Sequence, residues 1–268
     1  MITQWRRLHE GAGGLAAWAM GEGPVVLASH GIEDNWRNWT RLATRLADRF
    51  QIVALDLPWR AGNDYRWYGE AAPSTWLARA IDMVREPVHA LLGHSFGAVA
   101  TLELLSTGRQ PDGLERAVLV APFYCPRSSN SHGIRARSWQ ALHKTIRTGL
   151  KLGLGGRRVS PEVLAIMERR LLERLMPTVF PVFFEYFVGT GDLDLSHVDV
   201  PTLVLAGTTD PSLTFDRAVA LAAAMPSVTL HRHAHFTHFC HLEQAGDVAG
   251  EVSEFLPTRS LTNGAYGQ

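Results

Sequence analysis

The sequence predicts an α/β fold, a mostly parallel central sheet with helices on both faces and a helical insertion late in the chain. Three observations carry this. Short apolar runs alternate with longer helical patterns, as strand–helix–strand units do in a parallel sheet. Between Pro122 and Pro201 nearly eighty residues intervene, too many for a loop. Gly93, His94, Ser95, Phe96 and Gly97 stand between an apolar strand-like run, Val88 to Leu92, and a helix-like run, Ala98 to Leu105.

The elements follow in order. Gln4 to His9 and Leu15 to Ala19 form an opening hairpin around Gly11, Gly13 and Gly14. Strands are expected at 25–29, 51–55, 88–92, 117–121, 202–206 and 228–232. Helical patterns cover 36–48, 74–85, 96–106, 212–224 and 243–256. The long interval reads as helices at 135–150, 160–175 and 177–188, with Ser160 as a cap and Pro161 in the first turn. The resulting division is 1–124 for the first part of the core, 125–190 for the inserted region, 191–258 for the second part, and a flexible tail at 259–268. A chain of 268 residues, 46% hydrophobic, can bury a core of this size in one α/β unit.

The pentapeptide around Ser95 is a nucleophile elbow. The turn is so tight that glycine is wanted two residues either side of the serine, and the hydroxyl is left at the N-terminus of a helix. A serine hydroxyl is a poor nucleophile without a base and a buried acid that fixes the base. The chain supplies candidates in the order serine, acid, histidine. Asp210 follows the buried strand Thr202 to Ala206, and parallel sheets carry their chemistry at that end of the strands. His233, His235 and His238 follow the strand beginning at Val228, and each qualifies as the base.

In these residues the chain resembles the α/β-hydrolase fold superfamily over most of its length. The resemblance implies a helical cap over the active site in the inserted region. Members often carry Gly-His-x-x-His-Leu-Glu-x-Pro, whose first histidine is catalytic, and alignment through His241, Leu242 and Glu243 puts that role on His238. Thr237 stands where glycine is usual and Ala245 where proline is, which keeps His235 as the alternative. The resemblance assigns the acid to Asp210 and the oxyanion hole to the backbone amides of Ile32 and Phe96; such amides are oriented before charge develops. His30 and His94 read as structural. After Asp56, Leu57 and Pro58 the family commonly continues with small turn residues, whereas this chain has Trp59 and Arg60, marked here as substrate-binding candidates for a bulky or aromatic acyl group.

Composition narrows the classes. Two cysteines, Cys125 and Cys240, make no disulfide framework. The polar stretch Met1 to Glu10 gives no secretion signal, and no apolar run approaches ~20 residues, so a cytoplasmic protein without a membrane span is expected. His231, His233 and His235 alternate and would share one face of a strand, a spacing open to a transition metal. A triad needs no metal, so no metal and no cofactor are expected. The neutral total hides a bias. From Cys125 to Leu175 there are eleven Lys or Arg against three acids, a net +8 that leaves −8 for the rest. This suits a coenzyme A ester or an acyl carrier protein, or a solvated surface. Nucleic acid is not expected, since no nucleic-acid motif accompanies the charge.

The expectation is a serine hydrolase of an ester or thioester that works through an acyl-enzyme on Ser95. An acyltransferase or cyclase using the same acyl-serine remains open, as does a non-catalytic binding protein of the fold. Haloalkane and epoxide chemistry is disfavoured, because those members use aspartate where Ser95 stands.

Overall fold

A computed structural model describes residues 4–129 and 133–256. The expected tail lies outside these residues. The strands are β1 (Arg6–Glu10), β2 (Ala16–Met20), β3 (Val25–Ser29), β4 (Gln51–Asp56), β5 (Val88–His94), β6 (Arg116–Val120), β7 (Thr202–Gly207) and β8 (Val228–His233). The helices are α1 (Thr40–Leu46), α2 (Arg66–Glu70), α3 (Pro73–Met83), α4 (Phe96–Ser106), α5 (Ile134–Gly153), α6 (Pro161–Gly189), α7 (Phe215–Ala224), α8 (Cys240–Glu243) and α9 (Ala245–Phe255).

The strands make one eight-stranded sheet in the order β1-β2-β4-β3-β5-β6-β7-β8. The opening hairpin is antiparallel and joins β4 antiparallel; every later pairing is parallel. Alternation along β3 shows why both faces are covered. Val25 and Leu27 pack into one core with α3 and α4, while Val26 and Ala28 pack into another with α1 and α9. Successive strand side chains point to opposite faces, so an all-apolar strand needs helices on both. α7 adds Ala218 and Leu221 on the side of α4.

Three details differ from the sequence reading. The pattern at 36–48 splits into a 3-10 turn, Trp36–Trp39, and α1. The short α2 falls in the Trp- and Tyr-rich stretch and was not expected. The two helices expected at 160–175 and 177–188 are one helix, α6, with Pro177 and Pro181 inside it. Proline removes a helical hydrogen bond at a cost of ~3 kcal/mol or more. Here that cost is outweighed by packing: Leu175, Met176, Val179, Phe180, Val182, Phe183 and Phe187 are all buried along the same stretch. A fully buried residue of this kind contributes ~1.5–3 kcal/mol.

α5 and α6 pack on each other between β6 and β7 and lie over the carboxyl ends of the strands. Among the described residues no helix is long and apolar enough to cross a membrane. Cys125 and Cys240 are buried free thiols.

Candidate active site

β5 runs straight into the elbow. Ser95 sits at φ 51°, ψ −114°, a conformation costly for a residue with a Cβ, and its amide donates to Val120 O at 2.9 Å. Strain of ~1–3 kcal/mol at one residue persists only where the surroundings over-determine it. They do so here through the two glycines. A Cβ at Gly93 would stand 2.6 Å from Ala98 Cα, and one at Gly97 would collide with the carbonyl oxygens of Ser29 and His30. Strand, turn and helix are therefore in direct backbone contact, and Ser95 lines the cavity above them.

His238 bridges the site. Its Nε2 lies 3.1 Å from Ser95 Oγ and its Nδ1 lies 2.9 Å from Asp210 Oδ2. Asp210 is buried after β7, and its Oδ1 accepts the Ser212 amide at 2.9 Å. Burial pushes the Asp210 carboxyl up, but the charge and hydrogen bond of His238 and the Ser212 contacts outweigh it, so the carboxyl sits below its ordinary value. An ionised Asp210 holds the Nδ1–H tautomer, which leaves the Nε2 lone pair to receive the Ser95 proton. Ser212 Oγ, 3.1 Å from His238 Nδ1, is a contact that sequence reasoning missed. Its position two residues after Asp210, in an Asp-Pro-Ser turn, was the available signal.

His235 is placed elsewhere. It is exposed on the loop after β8, and its Nε2 pairs with Asp247 Oδ2 at 2.9 Å. His231 and His233 both bind Glu251, each at 2.7 Å. The three alternating histidines thus pair with carboxylates of α9.

The loop after β3 abuts the elbow, since a Cβ at Gly31 would stand 3.4 Å from Ser95 Cβ. Ile32 follows on this loop and lines the same cavity as Ser95. Phe96 opens α4, where a first-turn amide has no helical acceptor. Neither the Ile32 nor the Phe96 amide donates a hydrogen bond among the described residues. His30 braces the loop. Its Nδ1–H donates to Gly31 O at 2.8 Å and its Nε2 accepts from the Leu57 amide at 3.0 Å, with burial lowering its pKa to about 4.

The substrate-binding expectation for Trp59 and Arg60 is corrected by their positions, since neither lines the cavity. Trp59 is fully buried, its indole N–H donates to His30 O at 2.9 Å, and its carbonyl accepts the Glu33 amide at 2.9 Å. Arg60 Nη1 reaches back to Gly14 O at 2.6 Å and lies 3.7 Å from Asp56. Trp59 ties this loop to the one carrying Ile32, and Arg60 ties it to the opening hairpin. Tyr65 and Asn63 extend that tie to the Glu33 carboxylate at 2.8 and 3.1 Å.

His94 does more than the sequence suggested. It lines the cavity, and its Nε2 lies 2.9 Å from the carbonyl of His238. A carbonyl only accepts, so Nε2 carries the proton and Nδ1 presents a lone pair. Burial holds His94 well below the usual histidine range, hence neutral. Asp34 Oδ2 lies 3.9 Å from that Nδ1, and His241 completes a buried group whose ligating atoms fall within 4.8 Å of one another. Tetrahedral ligands at ~2.1 Å from a zinc ion would be only ~3.4 Å apart. The group as it stands is wider than that. Asp34 Oδ1 takes the Asn35 amide at 2.8 Å and the Asn38 side chain, while burial raises the carboxyl to about 7.

Ser95 and His238 open into a cavity of about 780 Å³ roofed by α5 and α6. Its walls are apolar at Phe123, Leu142, Leu175, Val179, Phe183 and Phe187, and Arg37, Arg41, Arg137, Arg174 and Arg217 also line it. Within the charged insertion, Glu168 takes Arg147 at 2.6 Å and Lys151 at 3.3 Å, and Arg127 pairs with Asp192 at 2.6 Å.

Comparison with known proteins agrees with the fold. The chain is 28% identical to the pimeloyl-[acyl-carrier protein] methyl ester esterase of Aeromonas salmonicida (strain A449) over 247 residues, 84% of this chain and 93% of the relative. It is 25% identical to the (E)-2-((N-methylformamido)methylene)succinate hydrolase of Acinetobacter baylyi over 215 residues, 75% of this chain and 78% of the relative. The solved esterase of Exiguobacterium antarcticum superposes with a TM-score of 0.62 at 16% identity, over 92% of this chain and 97% of that one. A family model described as the alpha/beta hydrolase family matches residues 25–251, and with the sheet order and the strand–elbow–helix turn this establishes that the chain belongs to the alpha/beta hydrolase family.

Proposed function

We propose that the protein is a serine hydrolase that cleaves an ester or thioester through an acyl-enzyme on Ser95. One observation carries the reading: His238 stands within hydrogen-bond reach of both Ser95 and a buried Asp210, at the floor of a roofed cavity. Ser95 Oγ attacks the acyl carbon as His238 Nε2 takes its proton. The amides of Ile32 and Phe96 receive the oxyanion. His238 returns the proton to the leaving alcohol or thiol, and water, activated by the same histidine, then releases the acid.

The relatives named as an ester esterase and a succinate-derivative hydrolase support hydrolysis at an acyl centre. The inserted region 125–190 acts as the cap, and its positive surface favours an anionic carrier of the acyl group, coenzyme A or an acyl carrier protein. Incubation with p-nitrophenyl and coenzyme A esters of graded acyl length tests this. Free acid should accumulate at a rate that depends on acyl length. An ester or lactone product instead would make the protein a transferase or cyclase.

A further inference from the structure

Arg217 stands third in α7, and its side chain is set into the wall of the Ser95 cavity. It is half-buried over the ring of Phe187, 4.7 Å from the centroid. Among the described residues its hydrogen bond is a long one, 3.4 Å from Nη1 to Pro211 O. No carboxylate pairs with it among the described residues, and Arg137 adds a second positive charge nearby. Burial draws the guanidinium below its ordinary value, against the opposing influence of Cys125 and with a smaller contribution from Arg137. The other arginines of the lining have contacts of their own: Arg41 donates to Leu242 O at 3.0 Å, Arg37 lies over the ring of Trp36, and the charge of Arg174 acts on the Glu33 carboxyl.

A partly desolvated cation without an acid is unfavourable unless something anionic meets it. The guanidinium fork matches a carboxylate bidentately, and the aromatic face beneath it holds the fork in place. Arg217 and Ser95 line the same cavity, and its apolar wall includes Phe123, Phe183 and Phe187 in mutual ring contact. An acyl group that satisfies both parts has an aliphatic chain and a charged far end.

We propose that Arg217 is the anion receptor of this cavity and that the protein selects monoesters of dicarboxylic acids, with the ester carbonyl at Ser95 and the free carboxylate on Arg217. This rests on the hydrolase reading above. The test therefore measures binding apart from turnover. In the full chain carrying Ser95→Ala, calorimetry compares monomethyl with dimethyl esters of glutaric, adipic and suberic acid. The monomethyl ester of at least one acid should bind about tenfold or more tightly than its dimethyl ester, the scale of a charge-assisted hydrogen bond. Adding Arg217→Gln should bring the two within about twofold, and Arg217→Lys should keep part of the preference.

Equal binding of the two esters across the series, or a preference that survives Arg217→Gln in a variant with an unchanged melting temperature, would overturn the assignment. Wild-type turnover of the same esters is read separately. Preference in binding with no turnover of either ester would contradict the chemistry assigned to Ser95 and leave the anion site standing. Turnover of both without preference would contradict the anion site alone.

Discussion

The Nε2 of His94 donates to the main-chain carbonyl of His238 at 2.9 Å, so the residue before Ser95 positions the backbone that carries His238. His94→Phe keeps a buried ring and removes the donor. A displacement of ~1 Å at a reacting group can cost ~10² in rate. The expected result is a kcat lowered roughly 10- to 100-fold with KM changed much less. An unchanged kcat would mean that Asp210 and Ser212 hold His238 without help.

Asp34 gives a pH dependence of stability. Its carboxyl is raised by burial from 3.8 to about 7, so the folded protein holds this proton more tightly than the unfolded chain does. The stabilisation is greatest below pH ~4 and is lost as pH rises to about 7. Asp34→Asn keeps an oxygen for the Asn35 and Asn38 donors and turns an N–H toward the His94 lone pair. The variant should melt roughly 10 °C above the wild type at pH 8, with the difference shrinking toward pH 4, since each pKa unit is ~1.4 kcal/mol. Parallel melting curves at all pH values would show that Asp34 does not titrate in this way.

Trp59 tests the bracing of the loop that carries Ile32. Trp59→Phe retains most of the buried ring and loses the hydrogen bond to His30 O. A stability loss of ~1–3 kcal/mol is expected, because a buried carbonyl is left without its donor. The rate should fall about tenfold as the Ile32 amide loses its fixed position. A loss of stability with the rate unchanged would separate the brace from the chemistry.

What was legible in the sequence follows from how local each signal is. Ser95 announces itself because two glycines, a strand and a helix lie within a few residues of it, and the parallel core of the sheet was readable because β3 to β7 each carry a short apolar run. Asp210 was placed by the end of its strand. Trp59 was misread because size and position near the mouth do not reveal where an indole points, and a contact to His30 spans 29 residues. The same holds for Arg217, which sits in an ordinary amphipathic helix until the fold brings Phe187 beneath it. Pro177 hid the continuity of α6, since proline breaks helices unless tertiary packing outweighs the lost bond.

The charge of the insertion gives a salt dependence. Arg157 and Arg158 are exposed at the turn between α5 and α6. Charges on a surface are screened over ~10 Å at 0.1 M salt. For a coenzyme A thioester, kcat/KM should fall as salt rises from low to physiological strength, while a neutral p-nitrophenyl ester of the same acyl group shows little change. Changing both arginines to Gln should flatten the first curve. Identical salt curves for the two substrates in the wild type would make the insertion a solvated roof with no part in recognition.

Covalent labelling reads the reactivity of Ser95 itself. A fluorophosphonate probe is attacked only by an activated serine, and digestion with mass spectrometry identifies which one. Labelling should be stoichiometric at Ser95, absent in Ser95→Ala, and slowed about 10³-fold or more in His238→Ala but little in His235→Ala. Labelling at another serine, or equal labelling in the His238 variant, would contradict the chemistry proposed for Ser95.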